Sequence, residues 1–124
     1  MNAATRASGL KYALVLFGVI CFLIYPLALV WPSGWIWHNG GGTHYFQMIC
    51  GLYAVLGFFL VRAAKAPTEN KSLIEFTIWS SVVHAGIMTL QVMSDHMETG
   101  HLFGDIPALI IVASVLWYLS PERA

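Results

Sequence analysis

Four long apolar stretches alternate with short polar segments along the chain. They cover about residues 10–31, 44–64, 73–93 and 102–119. A helix of about 20 residues crosses a hydrocarbon core of about 30 Å, so each stretch is long enough, or nearly so, to span a bilayer. The connections are short and contain turn residues, such as Asn39 to Gly42 and Ala66 to Asn70. The pattern therefore predicts one all-α domain over residues 1–124, an integral membrane four-helix bundle with up-down-up-down topology.

The basic residues indicate how this bundle is oriented. All six fall at the end of the bundle that carries both termini and the second connection: Arg6, Lys11, Arg62, Lys65, Lys71 and Arg123. The first and third connections contain none. Because cytoplasmic segments carry an excess of Lys and Arg, we expect both termini to face the cytoplasm.

Composition supports the lipid bilayer as the main partner of the chain. Apolar residues make up 58% and charged residues 10%, and the mean hydropathy is +0.71, whereas soluble domains average about 45–50% and about 25%. Six basic residues balance six acidic ones, which excludes the basic surface of a nucleic-acid-binding protein. Cys21 and Cys50 lie in apolar runs without a Cys-x-x-Cys motif, so neither a disulfide framework nor a redox pair is indicated.

The third apolar stretch carries a polar stripe at helical spacing. Its members are Thr77, Ser81, His84, Met88, Gln91 and Asp95. Intervals of three, four and seven put them on one face of a helix. We expect this face to point into the bundle, because His and Gln facing lipid would leave polar groups without partners. Ser81, Ala85 and Thr89 add a small-residue seam for close helix contact.

Depth counting predicts a candidate polar cluster inside the membrane. At about 1.5 Å per residue His84 lies roughly 16 Å above the basic end, and polar residues of the other helices lie close to the same layer. The predicted cluster consists of Tyr25, Gln47, His84, Gln91 and Asp105. In it His84 hydrogen-bonds Asp105 or Tyr25, and Gln47 lies near Gln91. Two simpler interpretations stand beside it: His84 is a neutral cross-link between helices, and Asp105 caps the fourth helix.

Most histidines gather at the opposite end from the basic residues. With the acids beside them they form a candidate metal-binding set: His38, His44, Asp95, His96, Glu98 and His101. Imidazole and carboxylate bind copper or zinc, and a quinone headgroup is a further candidate ligand. The spacing of His96 and His101 matches neither the same-face helical interval nor a zinc motif. A solvated polar loop is therefore the alternative.

Five runs of the sequence carry a resemblance to known proteins: Tyr25-Pro26-Leu27, Trp31-Pro32-Ser33-Gly34-Trp35, His44-Tyr45-Phe46-Gln47-Met48, Trp79-Ser80-Ser81-Val82-Val83-His84 and His101-Leu102-Phe103-Gly104-Asp105-Ile106-Pro107. With these runs the chain resembles a family of small, uncharacterised bacterial inner-membrane proteins, and the resemblance implies a location in such a membrane. The resemblance extends from about Lys11 to Pro121. It implies a four-helix membrane protein and brings no established activity, so no catalytic residue is carried over.

The favoured function is that of an interaction or accessory protein without enzymatic activity. A homodimer or a larger membrane complex is compatible with this role. The first alternative is a metal-, proton- or quinone-linked membrane protein that uses the histidine-rich end or the layer of His84. The second is a minimal transporter, which would need to oligomerise to surround a pathway, since side chains fill most of a bundle of this size.

Overall fold

The computed structural model describes residues 2–30 and 44–120. The described chain contains four α-helices: α1 (Ala3–Val30), α2 (His44–Ala63), α3 (Lys71–Ser94) and α4 (Asp105–Leu119). Two 3₁₀ helices, Pro67–Glu69 and His96–Phe103, precede α3 and α4. These ranges contain no strand, and the all-α, four-helix prediction is confirmed. The candidate metal ligand His38 lies outside the described residues.

Helix α1 begins well before the apolar stretch that predicts it. The side chain of Asn2 accepts a hydrogen bond from the backbone N–H of Thr5 at 2.8 Å and another from the Thr5 hydroxyl at 2.7 Å. An Asn side chain in this position satisfies one of the free N–H groups of a helix start. Polar residues before Leu10 therefore extend the helix without contributing to the apolar pattern.

Helices α1 and α2 pack closely against each other through two glycines. A Cβ added to Gly18 would lie 2.7 Å from the carbonyl oxygen of Gly57, and a Cβ on Gly57 would clash with the carbonyl oxygen of Gly18. Small residues allow such backbone approach between membrane helices. The predicted seam on α3 is also partly realised, since Ser81 and Ala85 are buried.

The best-packed region lies where α1 begins and α2 ends, and we call it the packed half. Its fully buried side chains are Leu14, Leu60, Ile74 and Leu116, one from each helix. A smaller cluster of Ala85, Val92 and Ile106 joins α3 to α4 farther along the bundle. The helices associate mainly as two pairs, α1 with α2 and α3 with α4. This pairing leaves space between the pairs.

The outer surface of the bundle is strongly apolar. Large side chains such as Leu16, Leu52, Trp79 and Ile111 are more than half exposed. By length and composition, four helical segments within residues 2–30 and 44–120 are able to cross a membrane, the fourth including the 3₁₀ helix before α4.

Candidate functional site

A cavity of about 240 Å³ lies between the two helix pairs. We call the part of the bundle that surrounds it the cavity half. All four helices contribute to its walls, which are mainly apolar side chains such as Phe17, Ile24, Phe46 and Leu109. Its polar groups come from both pairs: Cys21, Tyr45, Tyr53, Thr77, Ser81, His84, His101 and Asp105. Four members of the predicted polar stripe, Thr77, Ser81, His84 and Met88, line this cavity.

Tyr53 and His84 bridge the cavity from α2 to α3. The Tyr53 hydroxyl and Nδ1 of His84 are hydrogen-bonded at 2.6 Å, and the two ring centroids lie 6.1 Å apart. The predicted partners of His84 were Asp105 or Tyr25, so the observed partner is a different residue. Depth counting offers a signal for it: about 1.5 Å per residue places Tyr53 roughly 16 Å above the basic end, level with His84.

His101 forms a second polar group at the cavity wall, between two carboxylates. Its side chain is buried, Nε2 lies 2.8 Å from Oε2 of Glu98, and Nδ1 contacts Oδ2 of Asp105. The 3₁₀ helix and the first residue of α4 place the three side chains at intervals of three and four residues. Because an ionised carboxylate only accepts hydrogen bonds, the group holds either an imidazolium or a protonated carboxyl.

One interpretation of the sequence was that Asp105 caps α4, but the structure shows that it does not. The cap position belongs to Gly104, and the Asp105 side chain forms no capping hydrogen bond. Its carboxylate contacts His101 instead. Asp105 remains in the first turn of α4, where a negative charge is favourable beside the helix dipole.

The other members of the predicted polar cluster do not line this cavity. Tyr25 is exposed and its ring centroid lies 6.3 Å from that of Phe46. Gln47 and Gln91 are exposed as well. Of the predicted cluster, only His84 and Asp105 line the cavity. Tyr53 and His101, which were not part of the predicted cluster, line it as well.

The candidate metal ligands are only partly brought together. Asp95 accepts a hydrogen bond from the backbone N–H of Met97 at 2.9 Å, while His44 and His96 are exposed. Glu98 and His101 meet, but both ring nitrogens of His101 already face carboxylates. Within residues 2–30 and 44–120, no group of three or more His, Cys, Asp or Glu could hold a metal ion. The copper or zinc site stays a prediction, and its member His38 lies outside the described residues.

Ser81 is the most informative polar residue of the cavity wall. It is 6% exposed and lines the cavity. Its neighbour Thr77 donates its hydroxyl to the carbonyl of Leu73 at 2.8 Å, but the Ser81 hydroxyl has no hydrogen-bond partner among the described residues. Buried polar groups are satisfied in the great majority of cases, so an unsatisfied hydroxyl calls for an explanation.

A family model matches residues 4–122, nearly the whole chain. The chain belongs to DUF6632, a family of unknown function. Neither a curated protein nor a solved structure matches it. Membership in DUF6632 agrees with the resemblance noted from the sequence and assigns no activity to the Tyr53–His84 pair or to the His101 group.

Proposed function

We propose that the chain is a multi-pass protein of a bacterial inner membrane, with both termini in the cytoplasm. Support comes from the length and apolar composition of the four helical segments and from their exposed apolar surface. The basic residues lie at one end of the predicted bundle, and an excess of Lys and Arg is typical of cytoplasmic segments. A reporter fused after Ala124 should be active as a cytoplasmic fluorescent protein and inactive as a periplasmic phosphatase. The opposite result overturns the orientation.

Within this bundle, we propose that the cavity binds a small apolar molecule with a hydrogen-bonding oxygen, such as a quinone or quinol ring. The observation that carries this proposal is the buried hydroxyl of Ser81, which lines the cavity without a partner in the described part of the chain. A ligand oxygen would satisfy it. The role is one of binding, in keeping with an accessory protein.

The neighbouring histidine offers a second hydrogen bond to the same ligand. When Nδ1 of His84 accepts a hydrogen bond from the Tyr53 hydroxyl, the neutral ring carries its proton on Nε2. Among the described residues this Nε2 has no partner. Ser81 and His84 lie on the same face of α3, so one oxygen-bearing ring contacts both.

The size of the cavity limits the class of ligand. Sites for drug-sized ligands measure about 300–1,000 Å³, and this cavity measures about 240 Å³. It accommodates a single substituted ring rather than a large planar cofactor. A long isoprenoid tail would have to leave between the helix pairs and lie in lipid.

Binding of a short-chain benzoquinone to the protein in mild detergent tests this proposal. A ligand at 100 times its Kd stabilises the folded state by about 2.7 kcal/mol, so the unfolding temperature should rise on titration. Ala108→Phe places a ring in the cavity that Ala108 lines and should abolish the shift. Ser114→Phe also adds a ring at a small, exposed residue of the same helix, but Ser114 does not line the cavity, so this matched control should keep the shift.

A second variant addresses the hydroxyl itself. Ser81→Ala should weaken binding about 2- to 10-fold, the value of one net hydrogen bond, without lowering stability in the absence of ligand. The proposal is overturned if the wild-type protein shows no shift, or if Ala108→Phe shows the same shift as Ser114→Phe.

A further inference from the structure

A second concave site lies at the other end of the bundle, where α2 turns towards α3. This cleft measures about 400 Å³ and is lined by Phe59, Arg62, Lys65, Ala66 and Asn70. Its shape depends on the connection: Asn70 donates its side-chain N–H to the carbonyl of Ala66 at 2.8 Å. The cleft is separate from the cavity of the proposed quinone site, with which it shares no lining residue.

The cleft carries two positive charges without an acidic partner. Neither Arg62 nor Lys65 forms a salt bridge within the described part of the chain. Glu69, the acid nearest to them in the connection, pairs with neither. The charges of Arg62 and Lys65 are therefore available to an anion.

Arg62 is held in place by aromatic rings rather than by hydrogen bonds. Its guanidinium carbon lies 5.5 Å from the ring centroid of Phe59 and 5.8 Å from that of Phe58. Contacts of this kind attract the cation to the ring face and leave the N–H groups of the guanidinium for other acceptors. Among the described residues Arg62 donates no hydrogen bond.

The surroundings of the cleft combine charge with apolar surface. Phe58 and Phe59 are 49% and 44% exposed, and they continue the apolar outer surface of α2 up to the basic turn. A phospholipid matches this arrangement, because its apolar acyl chains are joined to a negatively charged headgroup phosphate. A free phosphate would use only the cations.

We propose that Arg62 and Lys65 form a binding site for the phosphate of an anionic phospholipid whose acyl chains lie along Phe58 and Phe59. This inference rests on the membrane insertion proposed above and does not depend on ligand binding in the central cavity. Basic residues near a membrane surface attract anionic lipid by roughly fivefold in affinity for each cation.

Native mass spectrometry of the protein released from detergent tests the site. The probes are phosphatidylglycerol, phosphatidylcholine and inorganic phosphate. Wild-type protein should retain phosphatidylglycerol in preference to phosphatidylcholine, and the double variant Arg62→Gln/Lys65→Gln should lose about 10- to 30-fold in affinity for phosphatidylglycerol. Lys11→Gln, which removes an exposed cation from α1, should change this affinity less than twofold.

Three results would overturn the proposal: equal retention of both lipids by the wild type, unchanged retention by the double variant, or displacement of the lipid by inorganic phosphate. The last would assign the cleft to a free anion. If the double variant does not fold, Lys65→Gln keeps Arg62 on its aromatic rings and should weaken binding roughly fivefold. Ala108→Phe should retain the lipid, so failure of the cavity proposal and failure of this one are distinguishable.

Discussion

The two halves of the bundle differ in how completely side chains fill the space between the helices. In the packed half, four large side chains from four helices are fully buried: Leu14, Leu60, Ile74 and Leu116. In the cavity half, the helix pairs leave about 240 Å³ between them and place Ser81, His84, His101 and Asp105 on the walls. One half is apolar and close-packed, and the other is incompletely filled and adds a few polar groups to mainly apolar walls.

Because of this difference, one half of the bundle mainly contributes stability and the other half provides room for a ligand. Close packing maximises dispersion contacts and leaves no room for a ligand. A cavity with buried polar groups lowers stability, and natural proteins keep such features mainly at functional sites. We therefore expect substitutions in the packed half to act chiefly on unfolding and those in the cavity half to act chiefly on binding.

The largest effect should come from truncating one leucine on α4 in each half. Leu116 is fully buried, whereas Leu109 is partly buried and lines the cavity. Leu116→Ala should lower the free energy of unfolding by about 2–5 kcal/mol, since it opens a new void. Leu109→Ala should cost less than half as much, because it enlarges a space already present. Denaturation in mixed micelles measures both.

The same pair of variants sharpens the comparison through ligand binding. Leu109→Ala should alter the affinity for a short-chain benzoquinone, and Leu116→Ala should leave it unchanged wherever the protein is folded. Equal stability losses for the two leucines would contradict the division into a packed half and a cavity half.

A smaller effect should follow from removing the imidazole between two carboxylates. His101→Leu removes the ring whose two nitrogens contact the carboxylates of Glu98 and Asp105, and it leaves both without this partner. Loss of one partner from a fully buried ionic group costs about 3–5 kcal/mol, but both carboxylates are partly exposed to solvent, so about 1–2 kcal/mol is expected here. His96→Leu, an exposed position on the same 3₁₀ helix, should leave the thermal unfolding temperature nearly unchanged.

A double variant separates charge from packing at this site. Adding Asp105→Asn to His101→Leu removes one unpaired negative charge and should recover part of the lost stability, which is a positive coupling in a double-mutant cycle. If the second substitution destabilises the protein further, the His101 group does not act through its charges.

The order of the helices follows from the sequence because long apolar stretches and short connections permit few arrangements. The start of α1 does not follow from the apolar pattern, because the hydrogen bonds of Asn2 extend the helix through polar residues. The close approach of Gly18 and Gly57 depends on how two helices are rotated towards each other. Apolar stretches without a polar stripe do not define that rotation.

The polar stripe of α3 corresponds only in part to the cavity wall, since its members Gln91 and Asp95 are exposed. Ser81 and His84 line the cavity as that stripe suggests. Tyr53 is missed because a tyrosine in an apolar run looks like a packing residue, although its depth matches that of His84. His101 is assigned to an outer loop, whereas a 3₁₀ helix folds it inwards beside Glu98.

The smallest effect, and the one that tests the polar link between the helix pairs, should come from Tyr53→Phe. The change removes the hydroxyl that bonds His84 across α2 and α3 and keeps the ring. Interhelical hydrogen bonds in membrane proteins average about 0.6 kcal/mol and reach about 1.7, so the free energy of unfolding should fall by an amount in this range. Tyr45→Phe is the matched control on the same helix, because its hydroxyl has no partner among the described residues.

Nitrogen NMR of the His84 ring adds a direct readout: the wild type should show the proton on Nε2, and Tyr53→Phe should mix the two ring forms. An unchanged ring spectrum would contradict the bond even if stability fell, since lost packing alone does not alter the position of the ring proton.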